Sequence, residues 1–260
     1  MHIELHGKRA LVTGANSGIG RAIALAMAKA GAAVGVNYVT HEEAADAVVQ
    51  EIEAAGGHAV KLKADISDLQ AVQSMFADFD QAFGGVDILV NNAGIDGGRA
   101  LSWEADANTW CKVLEVNLFG AFHCCQEALK RMVPQGQGVV INITSVHERI
   151  PWSGYSAYTT SKAGLGMMTK TLAQEAAPHG VRVLALAPGA IKTPINSDVW
   201  GNSTGLGDLM EKIPEGRLGE PEDIADMAVL MASDYASYVT GTSVFIDGGM
   251  MLYPSFTHGG

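Results

Sequence analysis

Cysteine is scarce: the 260 residues hold three, Cys111, Cys124 and Cys125. An odd count with no Cys-x-x-Cys pair argues against a disulfide framework and against a zinc site. Proline is also scarce, 8 against 31 glycines, which suits many tight strand-to-helix turns. Basic residues are outnumbered, 17 Lys and Arg to 28 Asp and Glu, and the net charge is −11. Such a chain repels nucleic-acid backbones and anionic membranes, so neither is an expected partner. No apolar run reaches about 18 residues, so no membrane span is expected. The first nine residues, with His2, Glu4, His6, Lys8 and Arg9, contain no apolar core of a signal peptide, and a cytoplasmic protein is expected. The eight histidines show no His-Glu-x-x-His or similar spacing, so no metal site is expected.

Apolar residues make up 48% and charged residues 17%, which excludes a disordered chain. Apolar β-rich runs stand at Arg9–Thr13, Ala33–Tyr38, His58–Lys63, Asp87–Asn91, Gly138–Thr144, Val181–Ala187 and Ser243–Ile246. Helical patterns lie between them at Gly18–Lys29, Glu42–Ala55, Asp68–Phe83, Thr109–Met132, Ala157–Ala176 and Pro221–Ser233. This alternation predicts an α/β fold: one doubly wound Rossmann-type domain over residues 1–260, with a seven-stranded parallel sheet and helices on both faces. The runs are apolar throughout, as strands buried on both faces require. Lys192–Leu218, rich in Gly, Asn and Ser, reads as a loop covering a site, with a plain surface loop as the rival. Adjacent Cys124 and Cys125 read as small buried apolar residues on a long helix.

The first strand runs into Gly14-Ala15-Asn16-Ser17-Gly18-Ile19-Gly20 and then a helix. Gly14 permits the tight turn, Gly18 admits a diphosphate, and Gly20 lets helix and strand pack closely. A dinucleotide site is the expected reading. The second strand ends Asn37-Tyr38-Val39-Thr40-His41, with no carboxylate for a ribose 2′-hydroxyl and no Arg or Lys for a 2′-phosphate. That predicts use of both NADP and NAD, leaning towards NADP. The plain alternative is that Asn37 and Tyr38 simply end a strand.

Tyr158 and Lys162 stand four apart, on one face of a predicted helix. A protonated amine there draws the phenol's pKa down and makes Tyr158 a usable base. Ser145 ends the fifth strand, where ligands bind in parallel sheets. Asn117, a poor helix former inside a helical pattern, calls for a polar partner, such as a water leading to Lys162, unless it is an exposed position.

Thr13-Gly14-x-x-x-Gly18-x-Gly20, Asn91-Asn92-Ala93-Gly94, Asn117, Ser145, Tyr158-x-x-x-Lys162 and Pro188-Gly189 with Thr193 together resemble the short-chain dehydrogenase/reductase family over essentially the whole chain. The resemblance implies NAD(P)-dependent oxidoreduction of an alcohol or carbonyl by Asn117, Ser145, Tyr158 and Lys162. It implies cofactor contacts from Gly14, Asn16, Ser17, Gly18, Ile19, Gly20, Asn37, Tyr38, Asp65, Ile66, Asn91, Ala93, Gly94, Tyr158, Lys162, Pro188, Gly189, Ile191 and Thr193. Asp65 matches the family's adenine-binding Asp; a helix-capping role beside Ser67 is its rival. It also implies a homotetramer built on the long helices and the C-terminal strand.

Ser145–Trp152, Gly189–Asn196 and Asp247–Phe256 further resemble bacterial glucose 1-dehydrogenases. Asp96 replaces their usual Glu, Ser153 replaces a Pro, and the tail Thr257–Gly260 differs. The implied small-molecule substrate is an aldopyranose, glucose oxidised at C1 to the lactone, with Asp96, Ser145, His147, Trp152, Tyr158, Asn196 and Tyr253 around it. His147 and Glu148 merely bracing their loop is the simpler alternative. A broad carbonyl reductase is the rival within the family, and a non-catalytic dinucleotide sensor the rival outside it.

Overall fold

The computed structural model describes residues 3–193 and 203–252, without the side chains of residues 203–205. Asn196 and Tyr253 lie outside the described residues, as does part of Lys192–Leu218.

Seven strands form one sheet: β1 (Arg9–Val12), β2 (Ala33–Tyr38), β3 (Ala59–Lys63), β4 (Ile88–Asn91), β5 (Gly138–Ile143), β6 (Val181–Pro188) and β7 (Ser243–Ile246). Their order is β3-β2-β1-β4-β5-β6-β7 and every pairing is parallel. Successive side chains alternate between two apolar layers, as the strand period demands. Ala10, Val12, Ile88 and Val90 enter one layer, Leu11 and Leu89 the other.

The first layer is closed by α1 (Gly18–Lys29), α2 (Glu42–Ala54) and, after α7 (Ser203–Met210), by α8 (Pro221–Ala232); the second by α3 (Leu69–Phe83), α5 (Ala121–Gln135) and α6 (Ser156–Ala176). Helix α3 shows why these segments fold as they do. Val72, Met75, Phe76 and Phe79 recur at helical spacing and are all buried. Asp68 caps its start by accepting from the N–H groups of Gln70 and Ala71, and Gly84, at φ 80°, ends it. Cys124 and Cys125 are free and buried in the second layer, as the sequence suggested. No helix among the described residues is long and apolar enough to cross a membrane.

One helix departs from expectation. Thr109–Met132 is not a single α-helix. It comprises the end of α4 (Ala107–Leu114), a π-helical turn over Glu115–Gly120, and α5. The wide turn contains Asn117, and such turns are frequent at functional sites. Ser145 also lies beyond β5 rather than in it, capping a 3-10 turn at Val146–Glu148.

Candidate active site

Every motif collects at the carboxyl ends of the strands, the edge where open parallel sheets bind ligands. The glycine loop follows β1. Gly14 (φ 59°) and Gly18 (φ 52°) hold left-handed backbone that suits glycine. A Cβ at Gly20 would lie 2.3 Å from the Gly14 carbonyl oxygen and 2.4 Å from Asn92 Nδ2, so only glycine fits there. Ser17 precedes α1 without a side-chain cap, which leaves the helix's first N–H groups to an outside acceptor. That uncapped terminus behind a glycine turn fits a dinucleotide diphosphate.

Two asparagines hold this loop, and their side chains are spent doing so. Asn92 Nδ2 donates to the carbonyls of Thr13 and Gly14, at 2.9 and 3.0 Å. Thr13 Oγ1 accepts from the N–H groups of Asn92 and Ala93. Asn37 Oδ1 accepts from Gly14 N–H, and its Nδ2 donates to the carbonyls of Leu62 and Ala64, all at 3.1 Å. Asn37 is 1% exposed and Tyr38 is 4% exposed. The expectation that the Asn37 side chain meets the ribose is therefore corrected, because its amide is spent inside the protein; the Tyr38 ring is covered, but its phenol donates to Glu42 on the exposed rim. The exposed rim at this strand end is Val39–Glu43. Asn16 Nδ2 joins it to the glycine loop through the Thr40 carbonyl. The side-chain roles of Thr13 and Asn92 escaped the sequence reading; the doubled asparagine was their signal.

Further along, Asp65 is partly exposed and accepts from both the N–H and hydroxyl of Ser67. The helix-capping alternative does not hold, because Asp68 caps α3; one Asp65 oxygen braces the turn before it instead. Ile66 is buried against Gly120, where a Cβ would clash at 2.7 Å. Asn91 is buried and donates to Asn142 Oδ1, Cys125 Sγ and the Ala121 carbonyl. Gly94 sits where a Cβ would come within 3.2 Å of Asn117 Oδ1 and 3.7 Å of Lys162 Nζ. Pro188 ends β6, and Gly189 lets the backbone of Asp247 approach, with 2.8 Å from its ideal Cβ to Asp247 Cα. Ile191 and Thr193 are buried.

The four expected catalytic side chains converge. The Ser145 hydroxyl lies in hydrogen-bonding reach of the Tyr158 phenol. Lys162 Nζ lies 5.7 Å from the Tyr158 ring centroid and donates to the Ile143 carbonyl at 2.8 Å. Burial pushes the Lys162 ammonium down to about 8. Tyr158 is not drawn towards neutrality in this arrangement. Burial raises its pKa, the Asp96 charge adds to the rise, and only the Ser145 hydrogen bond opposes them. Asn117 is 1% exposed and bonds groups of two neighbouring elements. Its Oδ1 accepts from Ile95 N–H, and its Nδ2 donates to the Ile95 carbonyl and to Ser161 Oγ. Ser161 in turn donates to the Tyr158 carbonyl at 2.7 Å. Asn117 thus ties the loop after β4 to the turn of helix that presents Tyr158.

Beside Tyr158 stands a stack of rings. His147 lies on Trp152 with centroids 4.6 Å apart and planes within 10°, and Trp152 lies on Tyr155 at 3.8 Å. The rings of His147 and Trp152 both meet Tyr158 edge-on, at 6.3 and 6.1 Å. Asp96 is close enough for its charge to act on both Tyr155 and Tyr158. His147 Nδ1 is occupied by the Ile150 carbonyl, while its ring stays beside Tyr158; Glu148 points inward and does not serve the pocket as expected.

Comparison with known proteins decides the family. The family model described as enoyl-(acyl carrier protein) reductase, a group of short-chain dehydrogenases/reductases, matches residues 14–251.

The chain belongs to the short-chain dehydrogenase/reductase family.

This short-chain dehydrogenase is 45% identical to a 3beta-hydroxysteroid dehydrogenase 1 of Eggerthella lenta, over all of this chain and 99% of that one. It is 41% identical to a glucose 1-dehydrogenase 2 of Bacillus subtilis, over 98% of this chain and 99% of that one. Among solved structures, a gluconate 5-dehydrogenase of Burkholderia cenocepacia in complex with NADP and tartrate superimposes with a TM-score of 0.92. That pair is 31% identical, over 97% of this chain and 98% of the other. The protein is an NAD(P)-dependent oxidoreductase acting on alcohol or keto groups.

Proposed function

We propose that this enzyme oxidises the C1 hydroxyl of an aldopyranose, glucose in the first instance, to the lactone. The observation that supports this is the pairing of a carboxylate with a flat wall beside the reacting phenol: Asp96, whose charge reaches Tyr155 and Tyr158, and the His147–Trp152–Tyr155 stack. A sugar ring offers apolar faces to such a stack and hydroxyls to a carboxylate. A site for a wholly apolar ketone gains nothing from a charge so close to its carbonyl.

In the oxidative direction Tyr158 Oη, as phenolate, takes the hydroxyl proton, and Ser145 Oγ holds the same oxygen. In the reductive direction Tyr158 returns that proton. Lys162, with Nζ 5.7 Å from the Tyr158 ring centroid, is placed to hold the nicotinamide ribose. The glycine loop, the turn Asn91–Gly94 and the rim Val39–His41 hold the dinucleotide, whose nicotinamide when bound accepts or returns the hydride. The tyrosine's proton affinity, raised by burial and Asp96, suits it to the acid role near neutrality and makes oxidation the faster direction at high pH.

A second reading has its own support. The same stack suits the flat face of a hydroxysteroid, and the 45%-identical relative carries that name. Asp96→Leu separates the two. With glucose as substrate, kcat/KM falls at least about tenfold, because the sugar hydroxyls lose their acceptor. With a 3β-hydroxysteroid it holds or rises. If wild-type enzyme forms no NAD(P)H with glucose or its epimers but oxidises the steroid, the sugar reading fails.

We further propose a homotetramer. Phe119, Phe122 and Met167 are 51%, 43% and 62% exposed on the π turn, α5 and α6, more apolar surface than a free monomer favours there. Light scattering at micromolar protein should give four times 27.2 kDa; the monomer mass would refute it.

A further inference from the structure

A buried carboxylate stands behind the active site and takes no part in the proposed chemistry. Glu148 is the last residue of the 3-10 turn that Ser145 caps through its bond from His147 N–H. Its side chain is only 2% exposed. Oε2 accepts from Ser243 Oγ at 3.1 Å, at the first residue of β7. Oε1 lies 3.5 Å from Arg149 Nε.

The third neighbour is a space. A Cβ at Gly166 would lie 3.0 Å from Glu148 Oε2, so the carboxylate fills the notch that this glycine leaves in α6. Gly166 is four residues after Lys162 and eight after Tyr158. A glycine inside a helix is less stable than an alanine there, and burying a carboxylate costs more unless it is bonded. An apolar side chain facing an alanine would fill the same volume without either cost. The pair instead joins three elements at one point: the turn carrying Ser145, the helix carrying Tyr158 and Lys162, and the edge strand β7.

We propose that Glu148 is a positioning residue that sets the hydroxyl of Ser145 against the phenol of Tyr158 by bracing the catalytic turn between α6 and β7. The proposal rests on the catalytic roles given above to Ser145 and Tyr158. Removing the brace lets the turn drift, which weakens the Ser145–Tyr158 hydrogen bond and leaves the glycine loop after β1 and the turn after β4, where the diphosphate end of the dinucleotide would sit, in place.

The test uses Glu148→Ala, Glu148→Gln, Ser243→Ala and Gly166→Ala in the full-length enzyme. Glu148→Ala should lower kcat about 10–100-fold, the loss expected from misplacing a reacting group. NADPH affinity, read by fluorescence titration, should stay within about twofold, because its contacts are untouched. The midpoint of the oxidative pH–rate profile should move to higher pH, as the bond that lowers the phenol's pKa is lost. Glu148→Gln keeps an oxygen for Ser243 and should recover most of kcat. Ser243→Ala and Gly166→Ala should shift kcat and the pH midpoint in the same direction by smaller amounts. If Glu148→Ala binds NADPH normally with kcat and pH midpoint unchanged, the proposal is overturned. If Glu148→Ala does not fold, the same two unchanged readouts in both Ser243→Ala and Gly166→Ala overturn it. Tyr158→Phe run alongside keeps the cases apart: its full activity would refute the catalytic reading itself, whereas an inactive Tyr158→Phe beside unperturbed Glu148 variants would refute only the brace.

Discussion

Placing an acid at position 37 is the obvious way to turn such an enzyme towards NAD, and the structure predicts that it fails for a reason of stability. Asn37 is 1% exposed and makes three hydrogen bonds. Asn37→Asp keeps the acceptor for Gly14 N–H but replaces Nδ2 with an anionic oxygen. That oxygen faces the carbonyls of Leu62 and Ala64, each of which loses its donor. Two unpaired buried groups and a poorly solvated charge sum to about 3–5 kcal/mol. In a chain of this size that lowers Tm by roughly 6–20 °C. Differential scanning calorimetry of Asn37→Asp against wild type reads this directly. Val39→Asp is the companion. Val39 is 46% exposed, so stability should change by no more than about 0.5 kcal/mol, while the ratio of kcat/KM for NAD over NADP rises. A Tm within about 2 °C of wild type for Asn37→Asp, together with a large gain in NAD preference, would show that residue 37 meets the ribose and would refute the argument.

Tyr158→Phe should lose about 10²–10⁴-fold in kcat with unchanged cofactor binding; turnover near wild type would remove Tyr158 from the mechanism. Ser145→Ala removes the one hydrogen bond that lowers the Tyr158 pKa, so the oxidative pH–rate profile, which climbs with pH, should move to higher pH as well as fall in height. Lys162 gives a stability signature of definite sign. Its pKa is about 8 in the folded protein against 10.5 when free, so between those values the unfolded chain binds more protons and folding gains stability as pH rises. Urea titrations of wild type and Lys162→Met from pH 7.5 to 10.5 should therefore diverge, wild type gaining relative to the mutant; parallel curves would refute the burial of the ammonium.

The strand pattern was legible because parallel strands buried on both faces must be mostly apolar, and the central strands are; the edge strand β3, with Lys61 and Lys63 exposed, is the exception. The same property hid Asn37. With both faces buried there is no alternation to betray which way a polar residue points, and its partners, Leu62 and Ala64, lie on the next strand and beyond it. The π turn was invisible for another reason. It inserts its extra width without interrupting the apolar pattern, and only the misfit of Asn117 in a helix hinted at it. Glu148 read as polar lining for a sugar because sequence places it three residues after Ser145; the 3-10 turn rotates it inward instead. The glycines were the most readable part of the site. Gly14 and Gly20 are fixed by contacts within a few residues or at one strand crossing, so their spacing alone carries the geometry.

The strand order also dictates a timetable. β1 can pair with β2 as soon as both have left the ribosome, but its other edge belongs to β4. Arg9 and Asp87, which pair at the starts of those two strands, are 78 residues apart. At a synthesis rate of about 5–20 residues per second, that edge stays open for roughly 4–16 seconds. An apolar strand with unsatisfied N–H and C=O groups is a template for pairing with another chain. The nascent chain is therefore most prone to aggregate before β4 emerges, and a ribosome-bound fragment ending before residue 87 should capture chaperones that one extending past β5 releases.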